Sequence, residues 1–193
     1  MAMDAQQRIV SSEDELLILV DQNDNDAGHL SKARCHDGDG VLHRAFSIFL
    51  FNEAGELLLQ QRGESKRLWP GFWSNSCCSH PRKGESPDIA TVRRLQDELG
   101  VAAALEFAYK FTYQARYGDS GAEHELCWVY LGRLTDKARP NPTEISALRF
   151  VTAAELTREF AATPEIFTPW FVLEWQELSE RHGELLSRYM RDD

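Results

Sequence analysis

The chain has 193 residues, 42% of them hydrophobic and 27% charged, and its formal net charge at pH 7 is −10. This length and composition fit one globular domain with a sizeable core and exclude a disordered chain. The negative charge repels polyanions, so we expect neither nucleic acid nor an anionic membrane surface as a partner. An anionic substrate would need a local cluster of basic side chains.

The N-terminus and the cysteines indicate a cytoplasmic protein. No run of about 18 apolar residues predicts a membrane span. The first residues, MAMDAQQRIVSSEDELL, lack the basic start and the apolar centre of a secretory signal. Adjacent cysteines such as Cys77 and Cys78 rarely bridge each other, and together with Cys35 and Cys127 they fit no disulfide framework. We therefore predict free thiols.

Short apolar or alternating runs at 15–21, 45–52 and 56–62 predict β-strands in the first third of the chain. The turn NEAGE between the last two runs predicts a hairpin. The stretch that follows, LWPGFWSNSCCSHPRKGE, contains Pro and Gly and is predicted to be irregular.

A helix is predicted over the stretch SPDIATVRRLQDELG, which begins at Ser86. Ser86 is a typical N-cap, Pro87 suits the first helical position, and Gly100 is a typical stop. Apolar side chains recur at helical spacing at Ile89, Val92, Leu95 and Leu99.

The second half of the chain continues the mixture of strands and helices. The stretches LEFAYKFTYQARY and EHELCWVYLGRL predict strands on either side of the turn GDSGA, and LRFVT predicts one more. Thr152 and Glu155 form a capping box that opens a short helix, and a terminal helix is predicted at about 167–190. With no internal repeat and no linker, the chain predicts one α/β (α+β) domain over residues 1–193, of which residues 1–10 are expected to be flexible.

Histidines and glutamates form a candidate metal site. His36 and His43 flank the polar turn DGDG, and Glu123 and Glu125 lie two residues apart in a predicted strand, which places both carboxylates on one face. Together with His80 they make a donor set suited to Mn²⁺, Mg²⁺ or Zn²⁺. From spacing alone, unrelated surface His and Glu residues are the commoner explanation.

The basic residues and the cysteine pair have a structural as well as a functional explanation. A phosphate pocket would draw on Arg62, Lys66, Arg67, Arg93 and Arg94. A solvated helix face accounts equally well for the last two. In the same way, Cys77 and Cys78 would be small core residues in most proteins of this kind. The residues alone leave these alternatives open.

Four stretches, HRAFSIFLFN, LWPGFWSNSCCSHPRKGES, RRLQDELG and EHELC, occur in this order. They resemble the type I isopentenyl-diphosphate isomerases of the Nudix superfamily, over about residues 32–170. The most specific part is N-S-x-C-x-H-P, followed downstream by E-x-E. The resemblance implies a Nudix-type mixed sheet flanked by helices. It also implies isomerisation of isopentenyl diphosphate to dimethylallyl diphosphate, through a carbocation-like state, in isoprenoid precursor biosynthesis.

The Nudix box is degenerate in this chain. Ser79 stands at its first glycine and Arg94 replaces the first glutamate of its Arg-Glu pair, whereas Arg93 and Glu98 match. Loss of a magnesium-binding glutamate disfavours one alternative, a Nudix diphosphohydrolase of a nucleotide-like substrate. The other alternative is a non-catalytic module that binds a metal or an isoprenoid.

The resemblance implies the site residues by their position in the motifs. It implies Cys78 and Glu125 as acid and base, Tyr113 as the hydrogen-bond partner of Glu125, and Trp170 as the pocket aromatic. The presence of all four disfavours a non-catalytic module. The implied ligands of a divalent metal are His36, His43, His80, Glu123 and Glu125. The implied contacts of the diphosphate are Lys32, Arg62, Lys66 and Arg94, and Glu98 is implied to bind a Mg²⁺ that arrives with the substrate.

The implied cofactors are therefore Mg²⁺ and a second divalent metal, Mn²⁺, Zn²⁺ or Mg²⁺, without a flavin. The unrelated flavin-dependent isomerases need a fold that holds the flavin, and this chain has neither a Gly-rich dinucleotide motif nor a barrel-like repeat. Isopentenyl diphosphate is the implied small-molecule substrate, and no obligate protein partner is inferred.

Overall fold

The computed structural model describes residues 9–191, which form one mixed sheet flanked by helices. The strands are β1 (Leu16–Val20), β2 (Asp26–Ser31), β3 (His43–Phe51), β4 (Leu57–Arg62), β5 (Trp73–Ser74), β6 (Cys77–Ser79), β7 (Leu105–Tyr117), β8 (Gly121–Arg133) and β9 (Ile145–Val151). The α-helices are α1 (Lys32–Cys35), α2 (Pro87–Leu99), α3 (Ala153–Ala162), α4 (Pro169–Arg181) and α5 (Gly183–Ser187). None of these helices is long and apolar enough to cross a membrane. Of the N-terminal residues expected to be flexible, 1–8 lie outside the described residues.

β3 is the strand that organises the sheet. β8 runs parallel to it along its whole length, from the pair His43↔Glu125 to the pair Phe51↔Arg133. The other edge of β3 is shared in turn by β1 at His43, by β6 at residues 46–48 and by β4 at Phe51. Segments that are far apart in the sequence therefore meet beside one strand.

The predicted hairpin between β3 and β4 is present, but its two strands separate after one residue pair. The described strands share the single pair Phe51↔Leu57. Beyond this pair the hydroxyl of Ser76 lies between the strands, where it accepts from the Leu50 N–H at 2.8 Å and donates to the Leu58 carbonyl at 2.6 Å. The opening gives β5 and β6 their place in the sheet.

β3 is buried on both faces, which explains why most of its residues are apolar. On one face, side chains such as Phe49 pack with Phe171 and Trp175 of α4. On the other face, side chains such as Ile48 pack with Leu95 of α2. The sheet thus lies between α2 on one side and α3, α4 and α5 on the other, and the predicted single domain with a mixed sheet and flanking helices is confirmed.

The predicted helix is confirmed as α2, although its buried face differs from the apolar pattern. The Ser86 hydroxyl accepts from the Ile89 N–H at 3.4 Å, and Gly100 ends the helix in the left-handed region at φ 64°. The side chains of Ile89 and Val92 face solvent, with 59% and 61% exposure. The buried side chains of α2 are Ala90, Thr91, Arg94, Leu95, Glu98 and Leu99. A buried Arg and a buried Glu need charged or polar partners to offset the loss of hydration, and Arg94 and Glu98 pair with each other.

Two other predictions differ from the structure in detail. The segment predicted to be irregular contains the short strands β5 and β6, because its backbone pairs with β4 and β3. The single terminal helix predicted at about 167–190 consists of α4 and α5, which are separated at His182, where φ is −121° and ψ is 27°. The capping box of Thr152 and Glu155 is confirmed at the start of α3.

Glu174 is a carboxyl group enclosed between α4 and the sheet. Its side chain is fully buried, and the thiol of Cys127 donates to Oε1 at 3.5 Å. Its Oε2 atom has no hydrogen-bond partner within residues 9–191. Burial raises the pKa of Glu174 to about 8, so the group is mostly neutral in the folded protein at pH 7 and ionised in the unfolded chain.

We expect Glu174→Gln to remove a pH-dependent loss of stability. Between the usual pKa of 4.5 and the folded pKa of about 8, only the unfolded state releases the proton, so the free energy of unfolding falls as the pH rises. The fall is at most about 1.4 kcal/mol per pH unit. Urea unfolding at about pH 5 and pH 8 should show a larger fall for the parent than for the variant. Equal falls would contradict the raised pKa.

Candidate active site

A cavity of about 500 Å³ lies between the sheet, the start of α4 and the segment around α1. It brings together most of the residues that the sequence implies for the site. These are Lys32, His36, Arg62, Lys66, Cys78, His80, Arg94, Tyr113, Glu123, Glu125 and Trp170. His43 is fully buried beside the cavity wall, as the fifth member of the histidine and glutamate cluster. Glu98 is paired with Arg94 and is not among the residues that line the cavity in the described part of the chain.

The register of the sheet assembles the histidine and glutamate cluster. Glu123 and Glu125 are buried on one face of β8, while His124 between them is only half-buried. The parallel pairing places His43 of β3 directly opposite Glu125. His80 follows β6, which lies on the other edge of β3, and His36 directly follows α1. The predicted common face of the two carboxylates is therefore observed.

The cluster fits a divalent metal ion. One ligand atom from each of His36, His43, His80, Glu123 and Glu125 lies within 4.8 Å of all the others. His36 Nε2 is 2.9 Å from Glu123 Oε2, and His43 Nε2 is 3.6 Å from Glu125 Oε1. Neither contact has hydrogen-bond geometry, so His36 Nε2, His43 Nε2 and Glu123 Oε2 are buried without a hydrogen-bond partner among the described residues. Three imidazole nitrogens and two carboxylates suit Zn²⁺, Mn²⁺ or Mg²⁺.

The surroundings favour a ligating form of His80 and Glu125; for His43, burial favours the neutral ring, but the neighbouring carboxylates raise its pKa above the usual value. His43 Nδ1 lies 2.7 Å from the Val41 carbonyl, which leaves Nε2 for the cluster. Burial holds the pKa of His80 well below its usual value, so this imidazole is neutral. Burial opposes ionisation of Glu125, but the nearby His43 imidazole and the hydrogen bond from the Tyr113 hydroxyl lower the pKa of this carboxyl below its usual value.

Tyr113 fixes the orientation of the Glu125 carboxylate. Its hydroxyl donates to Glu125 Oε2 at 2.6 Å, while Glu125 Oε1 faces His80 Nε2 at 2.7 Å. Burial, together with the nearby carboxylate, raises the pKa of Tyr113 well above its usual value. The phenol therefore stays protonated and acts as a hydrogen-bond donor.

The two adjacent cysteines have different surroundings. Cys78 lines the cavity, whereas Cys77 is fully buried in the core beneath α2. Successive residues of β6 point to opposite faces of the sheet, which accounts for the difference. Burial raises the pKa of Cys78 to about 12, although Arg62 opposes the shift, so the thiol is protonated at neutral pH.

Aromatic side chains form the wall of the cavity at the start of α4. Trp170 is buried and packs edge-to-face on Trp69 at 5.2 Å between ring centroids. The Tyr113 ring lies 6.1 Å from Trp170, and the guanidinium carbon of Arg62 lies 5.2 Å from the Trp170 ring. This wall offers π faces and, apart from Arg62, few polar atoms.

Four basic residues also line the cavity, and one of them, Arg62, lies beside the aromatic wall. Lys32, Arg62, Lys66 and Arg94 all reach it, and Arg67 stands at the rim. Arg93 is held elsewhere by a bidentate pair with Glu85, both contacts being 2.8 Å. Of the two adjacent arginines of α2, only Arg94 therefore belongs to the cavity.

Glu98 has its carboxylate paired with Arg94. The Arg94 Nε atom donates to Glu98 Oε1 at 2.8 Å, and Nη2 makes a second, shorter contact with the same oxygen. Glu98 does not contribute to the cavity surface among the described residues. Its role as a magnesium ligand stays a prediction.

Glu144 was missed by the sequence analysis. It lies just before β9 and lines the cavity, and its carboxylate accepts from both Lys66 and Arg94. Acidic residues are common next to strands, and nothing in the neighbouring sequence distinguishes Glu144 from the others. Only the tertiary structure places it among the basic residues.

Known proteins are similar in sequence to most of this chain. The NUDIX domain family matches residues 41–171. The chain is 42% identical to isopentenyl-diphosphate Delta-isomerase 1 of Photorhabdus laumondii, over 89% of this chain and 99% of that relative. It is 45% identical to the isopentenyl-diphosphate Delta-isomerase of Serratia proteamaculans, over 91% of this chain and 97% of that relative.

The chain belongs to the isopentenyl-diphosphate Delta-isomerase family. The resemblance on which the sequence analysis relied is thereby confirmed.

Solved structures agree on the fold of this isomerase family member. DR0079 from Deinococcus radiodurans matches with a TM-score of 0.67 at 24% identity, over 92% of this chain and all of that one. The MutT protein from Methanosarcina mazei Go1 matches with a TM-score of 0.59 at 18% identity, over 74% of this chain and 96% of that one. At this level of identity the likeness shows the Nudix fold alone.

We expect Glu123→Gln and His43→Ala each to lower the amount of bound divalent metal, because each removes a ligand from the cluster. The measurement is the metal content of gel-filtered protein after loading with Mn²⁺ or Zn²⁺, by mass spectrometry. His124→Ala is the matched control, since it alters the opposite face of the same strand. Metal content that is equal in all three variants would show that the cluster does not bind the ion.

Proposed function

We propose that the protein interconverts isopentenyl diphosphate and dimethylallyl diphosphate by protonation and deprotonation. The observation that carries the proposal is the placement of a protonated thiol, Cys78, and a carboxylate, Glu125, in one cavity, from strands on opposite edges of β3. Moving the double bond requires a proton to be added at C4 and another to be removed from C2. The cavity holds one group that can donate a proton and one that can accept a proton.

The Cys78 thiol is the proton donor in the forward direction. An unactivated alkene is a weak base, so protonation at C4 leads to a tertiary carbocation-like state at C3 and leaves a thiolate. Arg62 Nη1 lies 3.8 Å from Cys78 Sγ, and its positive charge stabilises that thiolate. Cys77 takes no part, because its thiol lies in the other core.

The aromatic wall stabilises the developing cation. Trp170 supplies a π face without a nucleophile that would trap the cation, and cation–π attraction in a dry site is worth about 2 kcal/mol. Edge-to-face packing on Trp69 and burial of both rings restrict the access of water. Exclusion of water also protects the allylic diphosphate product, which is prone to lose its diphosphate.

Glu125 accepts the proton from C2. Its carboxylate is ionised and is held in place by the Tyr113 hydroxyl. At the end of one turnover the thiol has lost a proton and the carboxylate has gained one, so exchange of protons with solvent restores both groups. The same groups, in exchanged roles, serve the reverse reaction.

The basic residues of the cavity suit the diphosphate. Lys32, Arg62, Lys66 and Arg94 offset the repulsion from a chain of net charge −10. Glu98 would hold the Mg²⁺ that accompanies the diphosphate. When bound at the histidine and glutamate cluster, a divalent cation supplies a fixed positive charge that orients the Glu125 carboxylate.

The remaining expectations stay predictions of the sequence. They are the identity of the two metals, operation without a flavin, a cytoplasmic location, and the absence of nucleic acid, membrane and obligate protein partners.

Incubation with isopentenyl diphosphate and Mg²⁺ tests the function. We expect dimethylallyl diphosphate without release of phosphate, measured by NMR together with a phosphate assay. Cys78→Ala should lose at least about 1,000-fold in kcat because the proton donor is gone, whereas Cys77→Ala, the matched control, should retain most of the activity.

The alternatives give different results in the same assay. Release of phosphate would identify a diphosphohydrolase, and absence of turnover in folded, metal-loaded parent protein would identify a binding module. Equal losses in the two cysteine variants would contradict the role assigned to Cys78.

A further inference from the structure

We propose that Glu144 is a positioning residue for the diphosphate end of the cavity, where it holds Lys66 and Arg94 side by side through one carboxylate oxygen. The inference rests on the proposed function, because it assigns a role within the same site. Glu144 lies outside the four stretches that carry the family resemblance, and it contacts neither the cysteine nor the metal cluster among the described residues.

The contact that carries the inference is a bridge between two cations. Glu144 Oε2 accepts a short hydrogen bond from Lys66 Nζ and a second one from Arg94 Nη2 at 3.2 Å. The Glu144 side chain is only 4% exposed. Burial of a carboxylate to this degree is costly unless it is paired, and the two cations supply the pairing.

The backbone of Glu144 is tied to both elements that carry these cations. Its carbonyl accepts from the Gly63 N–H at 2.8 Å, at the end of β4 and the start of the loop that contains Lys66. Its own N–H donates to the Asn141 carbonyl at 3.0 Å. The Asn141 N–H in turn donates to the Glu98 carbonyl of α2 at 2.8 Å. The carboxylate is therefore anchored relative to the loop and to the helix.

The cations need such an anchor because they repel one another. Arg62, Lys66 and Arg94 line the same cavity, and Lys66 has a flexible side chain that is 21% exposed. Burial lowers the pKa of Lys66, and Glu144 is the largest influence that opposes this shift. The charged groups that face Lys66 are Glu144, Arg62, Glu98 and Arg94. Without Glu144 the ammonium group would turn towards solvent.

A pair of cations that is already aligned loses less conformational freedom when a diphosphate binds. The Glu144 carboxylate would repel a diphosphate if the two were in contact, so a favourable effect of Glu144 on binding must act through Lys66 and Arg94 or through a Mg²⁺ ion that binds with the diphosphate. Weaker binding of a diphosphate by a variant that lacks the carboxylate therefore indicates a positioning role or a role as a Mg²⁺ ligand, whereas tighter binding indicates repulsion alone.

The test measures binding of 3-methylbutyl diphosphate, a saturated analogue that cannot isomerise, by titration calorimetry in the presence of Mg²⁺. Glu144→Gln keeps the size of the side chain and removes its charge, and we expect the Kd to rise about ten-fold. In the isomerase assay we expect KM to rise and kcat to change by less than about two-fold, because the diphosphate is unchanged in the reaction. Glu159→Gln is the matched control: it removes a carboxylate from its pair with Arg149, outside the cavity, and should bind like the parent.

Tighter binding by Glu144→Gln would overturn the proposal, because it would show that the carboxylate only repels the diphosphate. Unchanged binding would overturn it as well. A loss that disappears at high Mg²⁺ concentration would identify Glu144 as a metal ligand instead. If Glu144→Gln does not fold, Glu144→Asp retracts the oxygen by one methylene, and we expect a loss in the same direction; binding equal to that of the parent would then overturn the proposal.

Failure of the proposed function gives a different result. A parent protein that binds no diphosphate analogue, or that binds it without isomerising the substrate, contradicts the isomerase function. A parent that does both, with unchanged binding in Glu144→Gln, contradicts only the role of Glu144.

Discussion

The pairing of β3 with β8 on one edge and β6 on the other is the constraint on which the site depends. It sets His43 opposite Glu125 and Ser47 opposite Cys78. Neighbouring strands lie about 4.8 Å apart and a strand rises about 3.3 Å per residue, so the backbones that carry the thiol and the carboxylate are about 10 Å apart across the sheet and about 13 Å apart along β3. This separation leaves space for a five-carbon chain between their side chains. A slip of one residue in either register would turn the reactive side chain to the other face of the sheet. Burial of β3 in two cores opposes such a slip.

Burial of the charged side chains of this site costs hydration free energy, but it also strengthens their electrostatic interactions. Arg94 and Glu98 are each 2% exposed, and Glu123 and Glu125 are nearly as buried. Each has an oppositely charged or ligating neighbour, which offsets the loss of hydration. The same low exposure of the aromatic wall keeps water away from a cation-like state. The cavity therefore combines basic side chains, suited to a diphosphate, with aromatic side chains, suited to a hydrocarbon.

Strong local signals allowed much of the fold to be predicted from the sequence. The cap at Ser86, the stop at Gly100 and the alternation of Glu123 and Glu125 depend on neighbouring residues, so the pattern alone locates them. The family resemblance implied the site residues, most of which the structure gathers in one cavity, while the roles of the individual residues stay predictions.

Features that depend on distant partners escaped prediction. β6 is only three residues long and becomes a strand because it pairs with β3. Ile89 and Val92 follow the helical period but face solvent, because a different face of α2, with Ala90, Leu95 and Leu99, packs on the sheet. Glu144 acquires its importance only through contacts with residues 50 or more positions away in the chain.

The central claim is that Cys78 and Glu125 pass protons to and from two carbons of one substrate. Turnover in D₂O with flavin-free protein tests it most directly, because both groups exchange with solvent between turnovers. Mass spectrometry and NMR after partial conversion should find deuterium in the methyl group formed from C4 of dimethylallyl diphosphate, and in the remaining isopentenyl diphosphate through the reverse reaction. Dimethylallyl diphosphate formed without any solvent deuterium would contradict this account, since it would require a direct shift of hydrogen within the substrate.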